Sequence, residues 1–153
     1  MRRRLWKITH FIGVFVLKVP GAGFIIFKKI NNEIKFLGLK GPDFIRKSRN
    51  GIWDFPKGAK ENIESDWDAA VRECYEECSV KVNPQELVAG PFKLSSCVIY
   101  LAKTTQEPCI QKNPVYDIYE HEGWEWLKPE ELERDCYDWL TPAVTWARSV
   151  LKV

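Results

Sequence analysis

The sequence predicts a single α/β (α+β) domain, 1–153, in which helices cover a mixed central sheet. Three observations carry that expectation. Short apolar runs bounded by turn residues recur along the chain as strands. One strongly amphipathic segment, 65–78, has helical period. Two further helical segments follow after residue 128. At 153 residues the chain is long enough for a substantial core and short for two. Seven tryptophans add unusual aromatic volume to that core, with one or two free to stack on a base.

At the start, Arg2, Arg3 and Arg4, an apolar run at 11–17 and Gly21-Ala22-Gly23 imitate a secretory leader. Lys7, His10 and Lys18 interrupt that pattern, so residues 11–19 read as a strand. No stretch is long enough to span a bilayer. Strands follow at 23–27 and 34–39, separated by the turn signal Asn31-Asn32. Residues 41–51 form a polar, basic loop that includes Arg46, Lys47 and Arg49. Residues 56–59 read as a turn-like entry in which Gly58 allows close backbone approach.

The helix after it has Ser65 as N-cap and Asp66 and Asp68 at the positive end of its dipole. Trp67, Ala70, Val71, Cys74 and Cys78 give it an apolar stripe for the core, with an acid face beside the stripe open to a ligand. Strands at 87–88, 97–102 and 123–126 follow, with a loop at 106–113. A short helix occupies 129–135. The last helix starts at Thr141 as cap with Pro142 at its first position, and buries Ala143, Trp146, Ala147, Val150 and Leu151.

Composition narrows the partners. A net charge of +2 gives no basis for a nucleic-acid or membrane surface from bulk charge. The five cysteines are odd in number, contain no C-x-x-C pair, and stand with two histidines, which argues against zinc. They read as reduced thiols of a cytoplasmic protein, with Cys74 and Cys78 acting as small hydrophobes.

The chemistry is concentrated in the amphipathic helix. Glu73, Glu76 and Glu77 are spaced i, i+3, i+4, which stacks three carboxylates on one face. Like charges so placed repel, and a hard divalent cation such as Mg²⁺ or Mn²⁺ relieves the repulsion. Taken alone, such a run reads more often as a solvated face. The offsets around it change that reading: Gly58, then Glu64, then Arg72-Glu73-Cys74, then Glu76-Glu77, then Val80.

This pattern resembles the Nudix box, G-x5-E-x7-R-E-U-x-E-E-x-G-U with U apolar, at eight of its nine specified positions. Ser79 departs, standing where the family has glycine, at a turn where glycine is the relaxed residue. The resemblance covers essentially the whole chain and implies the Nudix α/β/α sandwich. It implies that Glu73, Glu76 and Glu77 ligate metal, that the carbonyl at Gly58 assists, and that Glu64 and Arg72 brace loop against helix. Lys57 stands either as a phosphate contact or as a solvated lysine. Glu120 is similar in placement to an extra ligand or general base outside the box, with Glu122 its rival and His121 a surface residue.

The resemblance implies hydrolysis of a phosphoric anhydride in a nucleotide. Residues 22–39 and 53–58 are similar to dinucleoside tetraphosphate hydrolases, and 53–58 also to RNA pyrophosphohydrolases. Asymmetric cleavage of diadenosine tetraphosphate to ATP and AMP leads. An RNA 5′ end and an NTP or dNTP are the alternatives, and a nucleotide-binding module without catalysis is the reading from another class. Arg46 can meet outer phosphates, and Trp53, Phe55, Tyr100 and Trp124 are stacking candidates that equally suit a core.

Overall fold

The protein is described by a computed structural model over residues 20–43, 46 and 50–153. The strand expected at 11–19, the leader-like start, Lys47 and Arg49 lie outside the described residues. Strands β1 (Gly21–Ile30) and β2 (Glu33–Lys40) form an antiparallel hairpin. Asn31 and Asn32 turn the chain with φ of 48° and 67°. A two-residue turn with both φ positive matches the twist of the strands it joins.

The hairpin stays paired only near its turn, from Phe27 opposite Phe36 to Ile30 opposite Glu33. Beyond that the strands part, and residues 53–59 fill the wedge between them. There, β3 (Trp53–Asp54) pairs with Leu39 and Lys40 of β2, and β4 (Lys57–Ala59) pairs with Gly21, Ala22 and Gly23 of β1. Between the two, the Phe24 amide donates to the Pro56 carbonyl at 2.9 Å. Gly23 makes the approach feasible, because a Cβ on it would lie 2.3 Å from the Lys57 Cβ. The turn-like entry expected at 56–59 is therefore a short strand.

The free edge of β1 takes β6 (Cys97–Lys103) in parallel, from Gly21 opposite Cys97 to Phe27 opposite Lys103. β5 (Leu87–Lys93) lies antiparallel outside β6, and β7 (Gly123–Leu127) closes the far side of β2. The sheet is mixed, as expected.

Alternation along β1 supplies both faces. Ala22, Phe24 and Ile26 pack with Ala69, Ala70, Cys74 and Cys78 of helix α1 (Asp66–Cys78). Ile25 and Phe27 face Leu132 of α2 (Pro129–Asp135) and Ala143, Val144 and Ala147 of α3 (Thr141–Leu151). Full burial of each large apolar side chain stabilises by roughly 1.5–3 kcal/mol, so both layers hold the sheet. This is an α/β/α sandwich.

Helix α3 corrects one detail. A 3₁₀ turn, Asp138–Leu140, runs straight into it, so Thr141 is already helical and makes no cap. Val144 joins the buried face, while Val150 stays exposed. All five cysteines are free thiols. Burial pushes Cys97 up to about 12 and Cys136 to about 11, so both are inert hydrophobes. Among the described residues, no helix is long and apolar enough to cross a membrane.

Candidate active site

Helix α1 begins as its sequence predicts: the Ser65 hydroxyl accepts the Asp68 amide at 3.0 Å. Its acids differ from expectation. Glu73 is 0% exposed and Glu77 is buried, while Glu76 is half-buried. β4 thus covers Glu73 and most of Glu77, and only the Glu76 edge of the acid face stays open. The Lys57 amide donates to Glu77 Oε2 at 3.2 Å. Gly58 is what admits the Glu73 carboxyl, since a Cβ at Gly58 would stand 2.1 Å from its Cδ.

Arg72 ties this cluster together. Its Nε and Nη2 donate to the two oxygens of Glu64 at 2.7 and 2.8 Å, the bidentate fork that suits a carboxylate. Nη1 donates to Glu73 Oε1 at 2.7 Å and reaches Glu76 at 3.5 Å, and Nη2 also donates to the Ala59 carbonyl at 2.9 Å. Burial opposes the Arg72 charge, but bonds and charges from Glu64 and Glu73 hold its proton more tightly than usual. The Glu64–Arg72 pair stands where a brace between loop and helix is expected, and Glu64 also accepts the Glu61 amide at 2.7 Å.

Glu120 comes to the same place. Glu76, Glu77, Gln111, Asn113, Glu120 and His121 line one narrow cleft. Asn113 Nδ2 donates to Glu120 Oε1, which orients that carboxylate. Glu122 turns the other way, toward Arg46 Nη1 at 3.3 Å. Gln111 and Asn113 have no sequence signal of their own, since both sit in a segment read as a plain loop.

Several expected contacts fall elsewhere. Lys57 is neither solvated nor at the cleft. It is 2% exposed, paired with Asp54 Oδ1, with its Nζ 5.4 Å from the Trp139 ring centroid. Its backbone faces the acids while its side chain enters the opposite layer, as strand alternation requires. Trp53 is buried in the core beneath α2 and α3. Tyr100 is buried between Phe24 and Trp67, at centroid distances of 5.8 and 5.3 Å. Both rings serve packing rather than stacking on a ligand. Trp124 is half-buried, edge-on to Trp126 at 6.4 Å. Arg46 is held by the Gly41 carbonyl at 2.8 Å and by Asp43, beside the segment that carries Glu120.

His121 also corrects its surface reading. It is 6% exposed, with Nε2 3.1 Å from Asp54 Oδ2. Burial alone would raise the Asp54 carboxyl, but the Lys57 charge, with bonds from His121 and Lys57, holds it well below the usual carboxylate range.

The donor set fits a hard divalent cation. Glu73, Glu76, Glu77 and Glu120 supply oxygens, and the missing Cβ of Gly58 leaves its main chain close to them. Among the described residues, no three acids, cysteines or histidines already stand as a ligand set. Glu76, half-buried and 3.5 Å from Arg72 Nη1, is the most exposed of the three glutamates of α1.

Known proteins resemble this chain. A family profile described as NUDIX domain matches residues 19–152. The asymmetrical bis(5′-nucleosyl)-tetraphosphatase of Caenorhabditis elegans is 26% identical over 122 residues, which is 74% of this chain and 81% of that protein. The mRNA decapping complex subunit 2 of Schizosaccharomyces pombe is 40% identical over 53 residues, 32% of this chain but 7% of that much longer protein. A crystal structure of a C. elegans Ap4A hydrolase binary complex superposes with a TM-score of 0.66 at 21% identity, over 88% of this chain and 98% of that one, a likeness of fold. The profile match spans nearly the whole chain and coincides with both the sandwich and the Gly58–Val80 pattern, and the protein is a member of the NUDIX family, a Nudix hydrolase.

Proposed function

We propose that the protein hydrolyses a dinucleoside tetraphosphate asymmetrically, diadenosine tetraphosphate to ATP and AMP, using Mg²⁺ or Mn²⁺ held by Glu73, Glu76, Glu77 and Glu120 with the Gly58 carbonyl. The observation that carries it is the convergence of Glu76, Glu77 and Glu120 on one cleft, with Glu73 seated behind them against Gly58. When bound, the cation neutralises charge developing on the phosphoryl oxygens and lowers the pKa of a water.

The protein's own residues do the rest. Arg72 keeps positive charge beside acids that otherwise repel, and it fixes Glu73 from one side while Gly58 fixes it from the other. The Lys57 amide sets the orientation of Glu77. Glu120, oriented by Asn113, would take a proton from the attacking water or serve as a further ligand. Arg46, which reaches Glu122 two residues from Glu120, would contact an outer phosphate, and the half-buried Trp124 would contact a base. Five free thiols suit the reducing cytoplasm.

The substrate choice draws support from the tetraphosphatase relative, whose similarity runs over most of both chains. A second reading, action on an RNA 5′ end, draws support from the higher identity to the decapping subunit over 53 residues. Side-by-side assay of diadenosine tetraphosphate, 5′-triphosphorylated RNA and a dNTP panel separates them. Glu76→Gln and Glu77→Gln should each lower Mg²⁺-dependent turnover by more than about 100-fold, beyond the cost of losing an outer-shell partner. Nucleotide binding with no turnover on any substrate points instead to a binding module.

A further inference from the structure

Ser79 occupies the one specified box position at which this chain departs from glycine. It has φ 63° and ψ 11°, and its amide donates to the Tyr75 carbonyl at 2.9 Å, ending α1. Glycine adopts that left-handed conformation without penalty, whereas serine is strained in it. The side chain that brings the strain is engaged twice. Ser79 Oγ donates to the Cys109 carbonyl at 2.9 Å and accepts from Gln111 Nε2 at 2.6 Å.

The segment it grips is anchored at two other points. The Cys109 amide donates to the Cys78 carbonyl at 2.9 Å. The Gln106 side chain exchanges bonds with the Lys81 main chain at 3.0 and 2.8 Å. Residues 106–111 therefore run alongside the end of α1 whether or not Ser79 has a hydroxyl. The Ser79 hydroxyl adds a fixed place for the Gln111 side chain, which lines the same cleft as Glu76, Glu77 and Glu120. Among the described residues, the Ser79 hydroxyl is the hydrogen-bond partner of the Gln111 side chain.

We propose that Ser79 is a positioning residue that fixes the Gln111 carboxamide on the wall of the cleft, making Gln111 a contact to the nucleotide substrate. This rests on the reading of that cleft as the active site. A carboxamide offers two donors and an acceptor, which suits a ribose hydroxyl, a phosphate oxygen or a base edge. Losing its fixed placement weakens substrate binding and leaves the acids untouched.

The test compares wild type with Ser79→Gly, Gln111→Ala and the double variant. Ser79→Gly restores the family residue and relieves the backbone, so Tm should hold or rise. In the protein alone, hydrogen exchange should speed up within residues 109–113 and stay unchanged along α1. With diadenosine tetraphosphate, KM should rise about three- to tenfold in each single variant, the worth of one or two hydrogen bonds, with kcat within about twofold. The double variant should be no worse than the larger single effect, because both act through one contact. Unchanged exchange in Ser79→Gly overturns the clamp whatever the substrate proves to be. Faster exchange with unchanged KM, or additive effects, overturns the link to Gln111. A wild type inactive on diadenosine tetraphosphate removes the substrate reading and leaves the clamp to be judged on exchange alone.

Discussion

Two charged networks meet along residues 54–58, and they hold their members differently. On one side, Arg72 spreads its fork over Glu64, Glu73 and the Ala59 carbonyl, and touches Glu76 at 3.5 Å. On the other, Asp54 takes Lys57 on one oxygen and His121 on the other, with Lys57 over the Trp139 ring. The first network spends an always-charged guanidinium on several acids and leaves one of them, Glu76, half-exposed at the cleft. The second is closed and shielded by aromatic rings. A network that must hand carboxylates to a cation needs slack, whereas one that only fixes a strand does not. Lys57 serves both, because its amide bonds Glu77 on one side while its side chain pairs with Asp54 on the other.

Breaking the closed network should have the largest effect. Asp54→Asn leaves the Lys57 ammonium buried without its counter-charge and should cost about 3–5 kcal/mol, read from the denaturant midpoint. A loss below about 1 kcal/mol would show that the second network has slack after all. Arg72→Lys keeps a charge but loses the fork, and should cost about 2 kcal/mol while lowering turnover, since Glu73 and Glu76 lose a shared donor. Equal stability with unchanged turnover would remove the brace from the argument.

The acid limb of the stability profile sharpens the comparison further. The folded Asp54 carboxyl lies below its ordinary value of 3.8. A depressed value stabilises fully above 3.8 and is lost as pH falls below it toward the folded value. The Tm gap between wild type and Asp54→Asn should therefore stay constant from neutral pH to about 5 and narrow only at strongly acid pH. A gap that closes near pH 6 would mean another group governs it. The smallest effect on stability belongs to the half-exposed acid. Glu76→Gln should shift stability by no more than about 0.5 kcal/mol, although it removes turnover.

The two networks also differ in how far the sequence reveals them. Gly58, Glu64, Arg72, Glu73, Glu76 and Glu77 fall within one short stretch, and helical period puts the acids together before any tertiary structure is known. The order of helices over a mixed sheet is equally legible, because β1, β2, β6, β7 and all three helices carry period and turn signals of their own, while the full α/β/α sandwich rests on the resemblance. Asp54, Lys57 and His121 meet only because the hairpin splays and β7 returns alongside β2, a pairing between distant segments that no local pattern encodes. Burial of Glu73 and Glu77 is hidden for the same reason, since residues 56–59 carry a turn signal and form β4 only by pairing with β1. Gln111 and Asn113 come from a loop, where side-chain placement depends on what the loop leans against.

The splayed hairpin has a consequence for the order of assembly. The Asn31-Asn32 turn and the few pairs beside it are local, and such a hairpin closes in about 1–10 μs. The parallel edge of β1 must wait for Gly21 to find Cys97, a pairing of high sequence separation that is slow to form. We expect residues 53–59 to enter the wedge only after both strands are placed, which would complete the acid cluster late. Contacts made after the rate-limiting step slow unfolding without speeding folding. A divalent cation bound to the finished cluster should therefore lengthen the native lifetime, with the refolding rate nearly unchanged.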